Sequence, residues 1–488
     1  MESLLDLQPR AVFGYFDEIC KVPRPSKREK KIVEYLIDFA RNHSLEYKKD
    51  GAGNILITKP ASKGMEDVET VALQSHVDMV AEKNDGVEHN FENDPIVPYI
   101  ENGWIKAKGT TLGADCGIGM AAMLAILADK DIKHGMLECL FTVEEETGLS
   151  GAKALAKDFL SAKILLNLDS EDDGELFIGC AGGIDTIIRL TYITEPVPSD
   201  YVTYKLSIKG LLGGHSGDDI DKGRPNAIKL LNRFLWRMSL KYDFRLSNYD
   251  GGNLRNAIPR EAFAVLSIGS DLASKIAKNF TVFKKHLEDE YRHVEKEMKV
   301  EFVKTATPHN VIDEISQFDL LAAIQACPSG VIAMSSKING LVETSTNLAS
   351  VKFVHGREAL ITTSQRSSIK SKLYDTVDTI KGLFSLTSAR TSTSNAYPGW
   401  EPDIDSEILR ITKTAYKELF NEEPKVKAIH AGLECGLFLE KYPNLDMISF
   451  GPTIKDVHSP GERLEIATVD KFWKLLKTIL SGIPKKTA

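Results

Sequence analysis

The sequence predicts an α/β fold: a mostly parallel-sheet domain with a second, α+β domain inserted into it. Three observations carry this expectation. Short apolar runs (Asn54–Thr58, Val71–Gln74, Leu137–Val143, Ala162–Leu168) alternate with helical segments in the first part of the chain. Near residue 185 the pattern changes to half-exposed alternation, as in Tyr204-Lys-Leu-Ser-Ile-Lys-Gly210. A turn-rich stretch, Ser392-Thr-Ser-Asn-Ala-Tyr-Pro-Gly-Trp400, then leads back to the first pattern, with a helix at Asp403–Phe420 and strands at Lys425–Ile429 and Asp446–Gly451. The expected domains are residues 1–184 and 398–488 for the parallel-sheet part and 185–397 for the insert.

At 488 residues the chain is too long for one ordinary core, and its 42% hydrophobic and 27% charged residues are those of a globular protein. The net charge of −8 argues against a nucleic-acid or anionic-membrane partner. The six cysteines (20, 116, 139, 180, 327 and 435) are scattered without a C-x-x-C pair, which fits a reducing compartment and argues against a disulfide framework or zinc ribbon. The opening MESLLDLQPRAVFGYF lacks a basic n-region and a long apolar run, and no stretch reaches about 18 apolar residues. A soluble, cytoplasmic protein is expected, with no membrane partner.

Along the first domain, Ser26-Lys27-Arg28-Glu29 reads as a capping box before a helix whose apolar face is Ile32, Leu36 and Phe39. Val71–Gln74 runs into Ser75-His76-Val77-Asp78; His76 and Asp78, at i and i+2, share a face while the strand stays extended. Gly109-Thr-Thr-Leu-Gly113-Ala-Asp115-Cys-Gly117-Ile-Gly119 is a Gly-rich turn into an apolar helix, Met120–Leu127. It lacks the G-x-x-x-x-G-K-[ST] of a phosphate loop. Asp115 at the mouth of a buried helix would be costly unless a cation met it. Leu137–Val143 ends at Glu144-Glu145-Glu146, and Ala162–Leu168 ends at Asp169. Acidic turns are usually only solvated. Three acidic or His clusters, each at the end of a strand in a parallel sheet, point instead to one metal site, because such sheets bind ligands beyond the carboxyl ends of their strands.

In the insert, Gly213-Gly214-His215-Ser216-Gly217 precedes a helix at Ala227–Leu235, and Asn253–Ile258 precedes a strand at Phe263–Ile268. Lys275–Lys299 reads as a charged helix, on which His286 and His293 are solvated. Asn347-Leu348 leads to Ala359–Thr363 much as Asn253-Leu254 leads to Phe263–Ile268, which suggests two related α+β units of about 100 residues each. Beyond the insert, Ile429 is followed by His430-Ala-Gly-Leu-Glu434-Cys-Gly436, and Gly451 by Asp456-Val457-His458-Ser459-Pro460-Gly461-Glu462.

The ordered set HVD, GADCGIG, EEETG, NLD, GGHSG and DVHSPGE resembles the co-catalytic zinc metallopeptidases, the superfamily that holds carnosinases, carboxypeptidase G-like enzymes and aminoacylases. NLRNAIPRE, HAGLECG and the Tyr-Pro-Gly-Trp segment are similar to its aminoacyl-histidine dipeptidase branch, and the likeness covers nearly the whole chain. The resemblance implies that His76 and Asp169 bind one metal, that Glu146 and His458 bind the other, and that Asp115 bridges them. It implies Glu145 as general base, Asp78 as the carboxylate that orients His76, and His215 as the group that stabilises the oxyanion. Cys116 departs from the expected Asp or Asn; in relatives the peptide bond at that position is often cis.

The chemistry is consistent with these roles. A bridged metal pair acidifies a shared water and polarises a carbonyl, and a carboxylate that is not a ligand can move the proton to the leaving amine. Mixed His and carboxylate ligands suit Zn2+, with Co2+ or Mn2+ as alternatives. A dipeptidase must also read both termini of its substrate. Arg366 is the candidate for the carboxylate, Asn256 for the peptide backbone, and His430 and Glu434 for further contacts, with Glu434 meeting the free amine. The expected activity is hydrolysis of short unblocked peptides, Xaa-His types including β-alanyl-histidine. A broader dipeptidase and an N-acyl amino-acid amidohydrolase are the alternatives, and a non-catalytic peptide-binding relative a third. Relatives with a short insert dimerise through it; the family likeness suggests a homodimer, although an insert of twice that size would allow His215 to act within its own chain.

Overall fold

In a computed structural model that describes residues 3–486, the chain forms two compact units. Residues 1–2 and 487–488 of the expected first domain lie outside the described residues. One unit takes the chain up to Gly179, Pro402–Ala428 and the residues from Leu433 onward; the other takes Cys180–Glu401 and Ile429–Gly432. The boundaries fall at 179/180 and 401/402 rather than at 184/185 and 397/398. The short piece Ile429–Gly432 joins the second unit because the Ala181 amide donates to the carbonyls of Ile429 and Ala431, both at 3.0 Å.

The first unit is built on an eight-stranded mixed sheet. Its order is Glu46–Lys49, Ile55–Lys59, Leu137–Thr142, Val71–His76, Ile164–Asn167, Asp446–Ser449, Glu175–Cys180, Lys425–Ile429. The four central strands are parallel to one another, and antiparallel strands flank them. The central strands are buried on both faces, as a sheet covered by helices on each side demands. Burying Phe13, Phe16 and Ile19 of the Arg10–Cys20 helix stabilises this layer by roughly 1.5–3 kcal/mol per side chain. The Ala114–Ala128 helix is buried along its length, and Asp115 and Cys116 within it have non-helical backbone angles. The peptide bond between them is cis.

A second, four-stranded sheet in this unit orders Ile454–Lys455, Arg463–Glu465, Trp104–Ala107 and Pro98–Glu101. Ile454 pairs with Leu464 and Lys455 with Arg463, so His458 sits in the hairpin loop between them. Arg463–Glu465 also pairs with Trp104–Ala107, the strand that leads into the Gly109–Asp115 turn. This small sheet therefore delivers His458 beside Asp115, residues 343 apart in sequence.

The second unit is a nine-stranded antiparallel sheet backed by helices Ala227–Ser239, Ala273–Tyr291, Glu314–Ala326 and Lys370–Phe384. Its order is Lys299–Lys304, Tyr201–Lys209, Ala262–Gly269, Phe244–Gly251, Val342–Val354, Glu358–Ser367, Gly182–Thr191, Arg390–Tyr397, with Gly330–Met334 added beside Val342–Val354. The core lies between sheet and helices: Leu206, Leu231, Phe234, Leu266, Leu320, Ile361 and Phe384 are all buried there. Asn347-Leu348 lies inside a strand whereas Asn253-Leu254 lies in a loop, so the two dipeptides do not occupy equivalent places. The charged helix ends at Tyr291 rather than Lys299, which instead opens an edge strand.

Candidate active site

The parallel strands end on one edge of the sheet, and that edge gathers the carboxylates and imidazoles. His76 is the last residue of its strand and is buried. Glu144–Glu146 follow Leu137–Thr142, and Asp169 follows Ile164–Asn167. His76 Nε2 lies 3.1 Å from Asp115 Oδ1 and 3.2 Å from Asp169 Oδ1. His458 Nε2 lies 3.1 Å from the other Asp115 oxygen, Oδ2, and 2.9 Å from Glu146 Oε2. Asp115 thus gives one oxygen to each of two His–carboxylate pairs. The potential ligand atoms of Asp115, Glu146 and His458 lie within 4.8 Å of one another, as do those of His76, Glu145 and Glu146 and those of His76, Cys116 and Asp169.

Asp78 lies behind this cluster, fully buried. Its carboxylate accepts from the Glu145 amide (3.0 Å), the Glu146 amide (3.3 Å) and the Ser26 hydroxyl (2.9 Å). His76 Nδ1 is 3.1 Å from the Asp78 carbonyl and 3.5 Å from its Oδ1. Asp78 therefore holds the Glu145–Glu146 backbone as well as facing His76. The Ser26 contact also corrects the capping-box expectation. The helix begins at Lys30 with Glu29 as its N-cap and without a side-chain cap, because Ser26 is engaged by Asp78.

The electrostatics of the cluster call for positive charge. Hydrogen bonds to Asp115 and Glu146 push His458 up to about 11. Burial would lower His76, but Asp169, Asp115 and Asp78 hold it well above the ordinary histidine value. Burial, reinforced by Asp169, Glu434 and Glu146 against the opposing effect of His76, raises Glu145 well above the carboxylate range. Glu171, two residues beyond Asp169, is pushed up to about 8 by burial and by Asp115 and Asp169. Buried Glu146 Oε1 has no hydrogen-bond partner, and Asp169 Oδ1 faces the His76 ring. Carboxylates in this excess, with acceptor atoms left over, suit divalent cations, and the His and carboxylate donors present fit that role. By contrast, Asp172 and Asp173 behind Asp169 pair with Lys455 and Lys471, as a solvated acidic turn would.

His430 and Glu434, four residues apart, separate into different units. Glu434 is buried in the first unit. Its Oε2 accepts from Gln74 Nε2 (2.6 Å) and Thr142 Oγ1 (2.9 Å), its Oε1 has no partner, and burial raises it to about 8 against the pull of nearby His76. Gln74, on the same strand as His76, gave no sequence signal of its own.

The second unit holds a different cluster. Arg366 is buried; its Nη1 donates to the Tyr397 hydroxyl (3.2 Å), its Nη2 lies 3.3 Å from His215 Nε2, and its Nε has no partner. His215 Nδ1 lies 3.0 Å from Asp218 Oδ2. His430 Nε2 lies 2.7 Å from the Ser345 hydroxyl, and burial together with Arg366 lowers His430 to about 4. The sheet register explains the grouping. Ser345, Arg366, Gly183 and Tyr397 are successive cross-strand partners, so they form one row on one face. At Gly183 an added Cβ would lie 2.6 Å from the Tyr397 ring, so only glycine lets that ring cross the row towards Arg366. Asn256 is exposed; its carbonyl accepts from the Ser216 amide at 2.8 Å. Tyr397, Ser345 and Asp218 were not singled out from the sequence.

The family model for peptidase family M20/M25/M40 matches residues 72–482. The cytosol non-specific dipeptidase of Escherichia coli is 43% identical over the whole of both chains. The crystal structure of aminoacylhistidine dipeptidase from Vibrio alginolyticus superposes with a TM-score of 0.93 at 43% identity, covering 100% of this chain and 99% of that one. An aminopeptidase from Bacillus cereus shares the fold at 18% identity, with a TM-score of 0.57 and coverage of 98% and 99%. The match along most of the sequence and the likeness over its full length place the chain in peptidase family M20/M25/M40.

Proposed function

We propose that the chain is a metal-dependent dipeptidase that hydrolyses short peptides with free termini, Xaa-His dipeptides among them. The observation that carries this reading is Asp115, with one carboxylate oxygen on each of two His–carboxylate pairs. His76 and Asp169 would hold one ion, Glu146 and His458 the other, and Asp115 both. When bound, such ions supply Lewis acidity towards a scissile carbonyl and towards water. We take the metal to be zinc.

The remaining work falls to this chain's own side chains. Glu145 takes the proton from the attacking water and delivers it to the departing amine. Asp78 fixes Glu145 in place through its amide and sets the ring orientation of His76. Glu434, buried with an unpartnered oxygen, is suited to a substrate ammonium. In the second unit the Arg366 fork is suited to the substrate carboxylate, and His215, steered by Asp218, to a developing oxyanion. His430 and Asn256 complete the substrate-contacting set. No helix among the described residues is long and apolar enough to cross a membrane; a cytoplasmic location agrees with the name of the Escherichia coli relative. A homodimer through the second unit belongs to the same proposal, and recovery of activity on mixing His215→Ala and Asp115→Ala chains would show sites shared between chains.

The relative from Escherichia coli is described as non-specific and that from Vibrio alginolyticus as an aminoacylhistidine dipeptidase, at the same identity. Substrate range is therefore the quantity to measure. Protein stripped by chelator and refilled with zinc, cobalt or manganese is assayed on Xaa-His, Xaa-Leu, Gly-Gly, β-Ala-His and an N-acetylated amino acid. Metal-restored cleavage of the free dipeptides is expected. Cleavage of the acetylated substrate alone would keep the metal centre and overturn the substrate class.

A further inference from the structure

Arg24 is among the largest fully buried side chains, at 2% exposure. Its guanidinium donates to three backbone carbonyls. Nη1 reaches Val77 and Asp78, both at 3.0 Å, and Nη2 reaches Gly113. It thus ties the segment that follows His76 to the turn that precedes Asp115. On the other side of that turn lies Glu462, also 2% exposed. Its Oε2 accepts from the amides of Leu112 (2.8 Å) and Gly113 (2.9 Å), and its Oε1 from those of Ala114 (2.7 Å) and Asp115 (3.3 Å). Glu462 is four residues beyond His458, in the hairpin that carries it.

The turn needs such bracing. Asp115 has φ −78° and ψ 114°, so the helix that follows does not fix its carboxylate. The first amides of a helix have no partner within it, and an anion there is favoured by the helix dipole. Gly113 is left-handed (φ 70°, ψ 32°), and a Cβ on it would come within 2.6 Å of Arg24 Nη2. The turn is therefore gripped from both sides: a cation takes a carbonyl and an anion takes four amides.

We propose that Arg24 and Glu462 are positioning residues for the metal centre. Together they set the Leu112–Asp115 turn between the strand end bearing His76 and the hairpin bearing His458, and so set where the two Asp115 oxygens point. This rests on the reading of the cluster as a metal centre. The bland alternative is that they only brace the core. Glu138 supplies the control: it is 4% exposed and accepts from the Ser161 amide (2.9 Å) and the Ala162 amide (3.0 Å), but it lies near the opposite end of its strand from Glu144–Glu146.

The test measures zinc affinity of the full chain by chelator competition and the visible spectrum of its cobalt form. Glu462→Gln sets a donor NH2 against amides that need an acceptor, and Arg24→Lys replaces a fork by a single ammonium. Each is expected to weaken zinc binding about 10–100-fold and to alter the cobalt spectrum, as loss of groups behind metal ligands does. Glu138→Gln should lower resistance to urea and leave both metal readouts unchanged. If Glu462→Gln does not fold, Glu462→Asp is measured in its place. Wild-type affinity and spectrum in the folded variants, or an equal change in Glu138→Gln, would overturn the proposal. Failure of the wild-type chain to take up metal would overturn the reading beneath it as well.

Discussion

The clusters in the two units are unbalanced in opposite senses. In the first, five carboxylates (Asp78, Asp115, Glu145, Glu146, Asp169) surround two imidazoles, and the buried atom left without a partner, Glu146 Oε1, is an acceptor. In the second, Arg366, His215 and His430 have Asp218 as their acidic neighbour, and the unpartnered Arg366 Nε is a donor. On the proposed reading, the first cluster receives cations and the second an anion. A peptide hydrolase requires both, since Lewis acidity acts at the scissile bond and a guanidinium reads a terminal carboxylate. The comparison also separates the kinds of failure that mutation should cause: loss of metal and rate in the first cluster, loss of substrate affinity in the second.

The sharpest break is Asp115→Asn. It removes the one carboxylate common to both His–carboxylate pairs. Metal content should fall below two ions per chain, and kcat/KM by at least about a thousandfold, the scale of several kcal/mol of lost charge stabilisation. Metal analysis alongside kinetics checks it; full metal content with near-normal rate would remove Asp115 from the shared position. Glu145→Gln comes next. If Glu145 is the proposed base and not a ligand, the substitution should lower kcat by about 10²–10⁴ with metal content intact. Parallel loss of metal would make Glu145 a ligand instead.

Arg366→Lys moves to the second cluster. Replacing a planar fork by a point charge removes bidentate recognition. KM for free dipeptides should rise about tenfold or more, in keeping with the roughly 1.5–3 kcal/mol of a charge-assisted hydrogen bond, while metal content stays unchanged. A dipeptide amide, which lacks the terminal carboxylate, should be insensitive to the substitution. Equal loss on both substrates would assign Arg366 a structural role through Tyr397 and His215.

The first cluster was largely legible in the sequence; of the second, Arg366, His215 and His430 were legible singly, but not their grouping with Ser345, Tyr397 and Asp218. His76, Glu145, Glu146 and Asp169 each follow an apolar run, and parallel strands necessarily end on one edge. Position in sequence therefore stood in for position in space. Arg366 acquires its partners through antiparallel register: Ser345, Gly183 and Tyr397 join its row from strands 21, 183 and 31 residues away. Nothing local marks a cross-strand row. The roles of Arg24 and of Glu462, the last residue of DVHSPGE, were hidden for another reason: their partners are backbone groups, which carry no residue identity. Ser26 misled because its hydroxyl has two equally ordinary uses, helix cap and carboxylate donor, and only the position of Asp78 decides between them.

The smallest expected effect tests the charge state of the second cluster. His430 is buried beside Arg366 and near His215, with Asp218 opposing them, and its folded-state value of about 4 lies below the 6.5 of an ordinary histidine. Between those values the unfolded chain binds the extra proton, so stability rises with pH there. The contribution is fully present above about 6.5 and is lost as the pH falls towards 4. Lowering the pH from 7 to 5 should destabilise the wild type by about 2 kcal/mol more than a His430→Gln variant, in which this group no longer titrates. Urea denaturation of both proteins at both pH values isolates the difference, because every other titrating group is common to the pair. Identical pH dependence in the two would mean that His430 tolerates a proton beside Arg366, and the second cluster would then hold less excess positive potential than its geometry implies.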